Sequence, residues 1–440
     1  DVGFFAWQLF AGGVDASEES KNVLQTAEKT KLLIQNKTAV IYEAAFIHNS
    51  VLILVDILHF NEGKYQAYEV KSSIKISENY LKDAYLQYYV LKNSLPDFDD
   101  LFLVSLNPDY ILELDIEPKK LFRKRSVKQN AEKNLAYFEH QINAALLVLE
   151  QNVIPNIVIG QHCFRPYLCD FFGTCWKGHL SETSIFNLPF VGKTTLFEWF
   201  NSGIKNIEEI PESAELKANV LKIKASYLSK KPLINYEKIN AFTAQVKLPV
   251  GAMDMEIWSP ALPQIKGTKP FEQTPFLICL YDGTHQSHYF TENLEEQDRK
   301  NFAEKLIKLT KDYASILTYD KTMEVSVING LIKKYPDLEI DLNQLKAKLL
   351  DVFDIFLNMN YYDPSFKNNF SLKVVSSVLL ENINYPNISS GLEAMNCYEQ
   401  YRLSETALEK ENFKQELITY CGMDCLATFQ LFKFLAGIGK

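Results

Sequence analysis

The chain of 440 residues is 47% hydrophobic and 13% aromatic, the make-up of a packed globular protein with room for roughly two or three domains. Its formal net charge of −9 has the wrong sign for bulk attraction to nucleic acid, so a polyanion would have to be met by local basic groups or bound cations. No run of eighteen apolar residues and no basic-then-apolar leader occurs, so neither a membrane span nor secretion is expected. The chain begins at Asp1 inside an apolar pattern, which reads as a truncated N-terminus.

In chain order, the first informative segment is the apolar run Val51-Leu52-Ile53-Leu54-Val55, ended by Asp56. A second strand-like run, Tyr65-Gln66-Ala67-Tyr68, leads into Glu69-Val70-Lys71. Asn61-Glu62-Gly63 between them is a turn signal, so a hairpin is expected. Alternate residues of a strand share a face. Glu69 and Lys71 therefore point the same way, beside Asp56 on the neighbouring strand. Two carboxylates and an ammonium on one face suit metal-assisted phosphodiester hydrolysis. The carboxylates can hold Mg2+ or Mn2+, and the lysine can steady charge on the phosphate. The bland alternative is a surface hairpin with ordinary charges. Farther on, Lys119-Lys120-Leu121-Phe122-Arg123-Lys124-Arg125 is either a solvated face or a nucleic-acid contact.

This front segment resembles the PD-(D/E)XK nuclease core of the RecB and CRISPR-associated exonuclease type. Besides Asp56 and Glu69-Val70-Lys71, the resemblance includes Glu43 in Ile41-Tyr42-Glu43-Ala44, just upstream of the metal Asp. It also includes Gln87 in Ala84-Tyr85-Leu86-Gln87-Tyr88-Tyr89, at the place of a Gln-centred helical motif. It implies a restriction-endonuclease-like α/β domain over residues 1–158. Asp56 and Glu69 would be metal ligands, with Glu43, Lys71 and Gln87 in the catalytic set.

Three of the seven cysteines, Cys163, Cys169 and Cys175, stand at even five-residue spacers among aromatics. They suggest a loop, residues 159–180, wrapped round a metal. Cys279, Cys397, Cys421 and Cys425 lie in mostly apolar stretches and read as core. Structural Zn2+ could recruit His162 or His179 as a fourth ligand, whereas an iron–sulfur cluster wants a fourth cysteine. RecB-like nucleases with such clusters carry one cysteine near the N-terminus and three after the nuclease core. The resemblance thus implies a [4Fe–4S] cluster that staples the two ends of that domain, its first cysteine preceding Asp1.

Gly192-Lys193-Thr194-Thr195 lacks the earlier glycine of a P-loop, since position 187 is Asn, so ATP binding is not expected. Leu188-Pro189-Phe190-Val191-Gly192, followed by a helix to Phe200, instead resembles a helix-hairpin-helix offering backbone N–H groups to a phosphate. A helix pair that merely packs is the alternative. Residues 181–247 as a whole read as a helical linker.

Residues 248–440 are expected to form a C-terminal domain with a second site. Asp254 and Glu256 alternate on a strand-like run, and Tyr420 and Asp424 are four apart on a helical one. They therefore share one face of each element. Tyr319-Asp320-Lys321-Thr322-Met323-Glu324 opens another helix, and Asp351 follows an apolar pair. Glu324 and Asp351 are the candidates for a fourth carboxylate. This layout resembles two-metal DEDD exonucleases of RNase H-like fold, in which carboxylates hold paired cations and the tyrosine positions water. The pieces Met253-Asp254-Met255-Glu256, Ser259-Pro260-Ala261-Leu262-Pro263, Tyr361-Tyr362-Asp363-Pro364, Ser371-Leu372-Lys373 and Tyr420-Cys421 are similar to a bacterial family called domain of unknown function 2779. Its members carry a RecB-like nuclease in front and this exonuclease-like domain behind. The resemblances imply a cytoplasmic, metal-dependent nuclease acting on DNA ends or single strands in DNA processing or repair, with no membrane partner. A nucleic-acid-binding scaffold with one or both sites inactive, or a zinc-containing interaction protein, are the alternatives.

Overall fold

The computed structural model describes residues 2–438 apart from 213, 215, 382, 384 and 386. The protein is mixed α/β and divides into two compact units, Asp1–Ile157 with Ser259–Glu272, and Val158–Trp258 with Gln273–Lys440.

The first unit is built on a six-stranded sheet in sequential order. Its strands are β1 (Val14–Asp15), β2 (Val40–His48), β3 (Val51–Asn61), β4 (Lys64–Lys71), β5 (Phe98–Leu106) and β6 (Phe122–Ser126). The β3–β4 turn is Glu62-Gly63, both residues at positive φ (50° and 80°), the backbone that a two-residue hairpin turn requires. β4 and β5 run parallel, connected through the helix Glu78–Ser94. Ser77 caps that helix by accepting from the Tyr80 amide at 3.2 Å, which satisfies one orphan donor of the first turn.

Two cores flank this sheet. On one face Ile41, Ala44, Val55, Leu101 and Leu103 pack with Tyr88 and Leu91 of the Glu78–Ser94 helix and Ala131 of the helix Lys128–Leu149. On the other, Tyr42, Ile57, Tyr68, Val104 and Phe122 pack with Val2 and Ala6. Segment 259–272, expected within the C-terminal domain, belongs to this second core. Ala261, Leu262 and Phe271 pack against it. Gly267 donates to the Leu112 carbonyl (2.7 Å), and Leu112 donates to that of Thr268 (3.0 Å). Its apolar side chains and backbone pairing, rather than its neighbours in sequence, decide where it goes.

The second unit holds β7 (Leu233–Ile234), β8 (Val250–Trp258), β9 (Thr274–Tyr281), β10 (Gln286–Phe290), β11 (Ser315–Thr318), β12 (Leu349–Asp351) and β13 (Tyr361–Tyr362). Its main sheet has the order β10-β9-β8-β11-β12. The β10–β9 and β9–β8 pairs are antiparallel, and the β8–β11 and β11–β12 pairs are parallel. Phe302, Leu306, Ile328 and Leu342 from three helices bury one face. The 32-residue helix Ala407–Ile438 is by length and hydropathy able to cross a membrane, but half of its most apolar window is buried within the fold. It packs on β8 and β9, burying Leu417, Cys421, Cys425, Leu431 and Leu435.

The cysteine-bearing loop, residues 159–180, lies in this second unit. Aromatic packing holds it. Trp176 is 3% exposed, stacks on Phe172 (4.9 Å between centroids), and meets Phe164 and Phe186 edge-on at 5.3 and 4.7 Å. The interleaved aromatics are thus a small core. In the helical linker, a helix spans Lys193–Asn201, but only the 3-10 turn Ile185–Asn187 precedes the Leu188–Gly192 turn. Among the described residues, no α-helix directly precedes that turn to serve as the first helix of a helix-hairpin-helix.

Candidate metal-binding carboxylate sites

In the first unit, the β2–β3 ladder runs to Tyr42↔Ile57 and resumes at Ala44↔Val55, which leaves Glu43 opposite Asp56 at the break. Glu43 has φ 52°, a left-handed conformation that is costly for a side-chain-bearing residue. The pairing is interrupted there, and both acids lie at the interruption. The β3–β4 register, Ile57↔Tyr68, brings Asp56 beside Glu69. The Val70 amide donates to Asp56 Oδ2 at 2.6 Å. Lys71 Nζ donates to Glu69 Oε1 (2.7 Å) and to Asp83 Oδ2 (2.6 Å). Gln87, one helical turn after Asp83, is buried against this set.

The electrostatics follow from burial. Desolvation, with Asp56 close by, pushes Glu69 up to about 7, although Lys71 and the Gln87 amide favour its ionised form. Desolvation, with Glu43 and Asp83 nearby, pushes Asp56 to about 6 against the pull of the Val70 amide and Lys71. Glu43 is raised by burial, then by Asp15 and Glu69. Burial alone would lower Lys71, but Glu69 and Asp83 outweigh it and hold the ammonium charged. Gln87 approaches Glu69, yet Glu69 Oε2 and Gln87 Oε1 are buried without a well-formed hydrogen bond.

The structure therefore brings Glu43, Asp56, Glu69, Lys71 and Gln87 to one place. Sequence reasoning missed Asp83 and Asp15. Asp83 stands four residues before Gln87 on a helix, a spacing that could have flagged it. Asp15 gave no signal, because only the parallel pairing Asp15↔Tyr42 carries it to the site.

In the second unit, Asp254 and Glu256 share a face of β8, against the helix that carries Tyr420, Cys421 and Asp424. Single acceptor or donor atoms of Asp254, Glu256 and Cys421 lie within 4.8 Å of one another. Burial holds the Cys421 thiol well above its ordinary value, and it donates to the Asp254 carbonyl at 3.4 Å. It is a neutral wall of the site rather than a ligand for a hard cation. Burial, then Glu256, Asp424 and Glu324, raises Asp254 well above the usual carboxylate range. Glu256 is raised likewise by burial and Asp424, against the pull of Lys373. Burial lifts Asp424 to about 6, while Tyr385, Lys373 and Tyr420 resist. Tyr385 Oη donates to Asp424 Oδ1 at 2.7 Å.

The two candidates for the fourth carboxylate behave differently. Asp351 Oδ1 accepts from the Asp320 and Phe353 amides (2.9 and 3.0 Å), and its Oδ2 accepts from the Lys321 amide (2.9 Å). Both oxygens are occupied in shaping the turn on which Asp320 sits at φ 63°. Glu324 is 4% exposed, its Oε2 has no hydrogen-bond partner, and burial pushes it to about 7. Its charge is felt by both Asp254 and Glu256. Glu324 therefore joins the set and Asp351 supports it from behind. A 380 Å³ cavity opens onto Asp254, Asp320, Asp424, Tyr319 and Ser371.

Lys373 and Tyr385 were not foreseen as site residues. The Lys373 ammonium lies 4.7 and 4.5 Å from the ring centroids of Tyr385 and Tyr420 and donates to the Ser389 carbonyl. Among the described residues, no ion pair joins a lysine or arginine to Asp254, Glu256, Glu324 or Asp424.

Residues 252–371 match the family described as Domain of unknown function (DUF2779). The matched stretch contains Asp254, Glu256, Asp320, Glu324 and Asp351, and stops short of Tyr385, Tyr420 and Asp424. No curated protein matches the chain.

The cysteine loop does not present a comparable cage. Cys163 is buried, Cys169 half-buried and Cys175 exposed. Among the described residues, these sulfurs are not gathered within 4.8 Å of one another, as one zinc ion shared by all three would require. The Cys163 Sγ accepts from the Gly160 amide at 3.5 Å.

Proposed function

We propose that the protein is a metal-dependent nuclease that hydrolyses phosphodiester bonds of DNA, at ends or in single strands, in DNA processing or repair. The first unit is read as a restriction-endonuclease-like, RecB-type site and the second as an RNase H-like, DEDD-type site. One observation carries this reading. Each unit gathers half-buried and buried carboxylates, in the first largely on its sheet and in the second from one strand and two helices, and among the described residues Glu69 Oε2 and Glu324 Oε2 are buried without a hydrogen-bond partner. Like charges packed so closely repel, and burial adds a desolvation cost. Hard oxygen donors of this kind fit Mg2+ or Mn2+.

Asp56 and Glu69 would hold the cation in the first unit, and Asp254, Glu256, Glu324 and Asp424 in the second. A bound cation supplies Lewis acidity and a more acidic water. The chain's own residues do the rest. Gln87 packs beside Glu69 and favours its ionised form against burial, and the Val70 amide fixes Asp56. Lys71 can offer its ammonium to a phosphate oxygen as negative charge grows in the transition state. Tyr385 and Tyr420 hold the Asp424 carboxylate in place.

One observation favours the scaffold alternative at the first site. The Lys71 ammonium is already engaged by two carboxylates, so a phosphate must displace one of them. The zinc or [4Fe–4S] reading of the cysteine loop is supported by the spacing of Cys163, Cys169 and Cys175.

The deciding experiment is a Mn2+ titration followed by cleavage assays on labelled single- and double-stranded DNA ends. Metal binding with Mn2+-dependent cleavage supports the nuclease. DNA binding with neither would leave the scaffold. Iron and zinc content of anaerobically purified protein, with absorption in the region of thiolate-to-iron charge transfer, decides the cysteine site.

A further inference from the structure

The basic run on β6 has a direction that its sequence does not reveal. Residues directly paired across a sheet point to the same face. The β4–β5 register is Glu69↔Leu103 and Lys71↔Ser105, and the β5–β6 register is Leu103↔Arg125 and Ser105↔Arg123. Two rows result, Glu69-Leu103-Arg125 and Lys71-Ser105-Arg123. Both arginines therefore stand on the face that carries Glu69 and Lys71, two strand spacings away, or about 10 Å. Lys124, between them, is on the opposite face, where its ammonium lies 4.4 and 4.9 Å from the ring centroids of Phe10 and Tyr68. The strand thus sorts its charges, two exposed arginines toward the carboxylate face and the lysine onto aromatic rings. β6 is also an edge of the sheet, so a ligand strand can continue past it.

The geometry points to a phosphate-binding row. Arg123 and Arg125 take backbone phosphates of a single DNA strand whose scissile phosphate lies at Lys71. This rests on the nuclease reading of the first unit. Guanidinium groups suit the task because they bind phosphate oxygens in a bidentate fork. Arg123 is at present paired with Asp109 at 2.6 Å, but that pair is largely exposed and so contributes little. A phosphate can displace it.

The test uses the full chain and a labelled single-stranded oligodeoxynucleotide, with binding measured in EDTA over a salt series. Arg123→Ala/Arg125→Ala is expected to weaken binding at low salt at least tenfold. It should also flatten the log–log salt slope by about 1.4, at roughly 0.7 per phosphate contact on single strands. Lys124→Ala should leave the slope where it was. With Mn2+, in an Asp254→Asn background that silences the second unit, the double variant should lose at least tenfold more efficiency on the long strand than on bis(4-nitrophenyl) phosphate. Arg123→Lys/Arg125→Lys should recover the salt slope more fully than the efficiency. Unchanged affinity and slope in the alanine variant, or a wild-type chain that does not bind the strand at low salt, overturns the row. The basic edge would then serve only to discourage edge-to-edge pairing. A wild-type chain that binds with the expected slope but cleaves nothing keeps the row and sinks the nuclease reading instead.

Discussion

The two carboxylate sites differ in how they manage their charge. In the first unit the acids share an ammonium directly, with Lys71 Nζ within 2.7 Å of Glu69 and 2.6 Å of Asp83. In the second, the nearest lysine is held off, with its ammonium over the rings of Tyr385 and Tyr420. Its charge reaches Asp424 and Glu256 through space, without an ion pair. A carboxylate nest that contains its own cation can fold without metal at modest cost. One that keeps its cation at a distance depends more on an added ion. The second site is therefore expected to show the stronger coupling between metal and stability.

The largest expected effect separates the two sites by activity. Lys71→Ala should lower cleavage by the first unit about 10²- to 10³-fold, the scale of losing one charge-stabilising donor. Asp254→Asn should silence the second unit. Single-turnover assays of both single variants and of the double variant apportion the activity. Undiminished cleavage by the double variant would remove both site assignments.

The next effect is on stability against pH. Glu69 and Glu324 are raised from their ordinary value to about 7, and Asp56 and Asp424 to about 6. A raised folded-state value means the folded protein binds these protons more tightly than the unfolded chain does. Their contribution is complete below the unfolded values near 4 and is lost as pH rises through 6 to 7. At about 1.4 kcal/mol per pH unit, a buried acid such as Glu324 contributes on the order of 3 kcal/mol. Metal-free protein should melt at a higher temperature at pH 5 than at pH 8. Mn2+ should erase that gap, and more of the recovery should be lost in Asp254→Asn than in Asp56→Asn. Melting that is flat with pH in EDTA would contradict the burial of these charges.

A smaller effect distinguishes Glu324 from Asp351 in the second site. Asp351→Ala strips the acceptor from three backbone amides and should cost roughly 2–3 kcal/mol, read as a lower melting temperature with or without metal. Glu324→Gln removes a buried charge. It should raise metal-free stability at pH 8 while weakening Mn2+ binding at least tenfold by calorimetry. The reverse pattern would exchange the two roles. The smallest effect is that of Tyr385→Phe, which deletes the 2.7 Å bond to Asp424 at about 1 kcal/mol. Because that bond favours the ionised carboxylate, the acid limb of the pH–rate profile should move to higher pH. An unmoved limb would detach Tyr385 from the site.

What the sequence determined by itself was local. Period-two alternation set Glu69 beside Lys71 and Asp254 beside Glu256, the turn signal Asn61-Glu62-Gly63 joined β3 to β4, and helical spacing put Tyr420 and Asp424 on one face. Each of these depends only on neighbours within a few residues, where backbone geometry leaves little choice. Tertiary structure decided what depends on distant partners. Asp15 reaches Glu43 only through a parallel strand pair, and Tyr385 reaches Asp424 across 39 residues of sequence. Asp351 is occupied by backbone amides around thirty residues away in the chain, which no composition or spacing rule reveals. The aromatics among Cys163, Cys169 and Cys175 close round Trp176, and segment 259–272 follows its apolar side chains into the other unit. The face on which Arg123 and Arg125 stand was fixed by strand register alone, because a slip of one residue would have turned both away from Lys71.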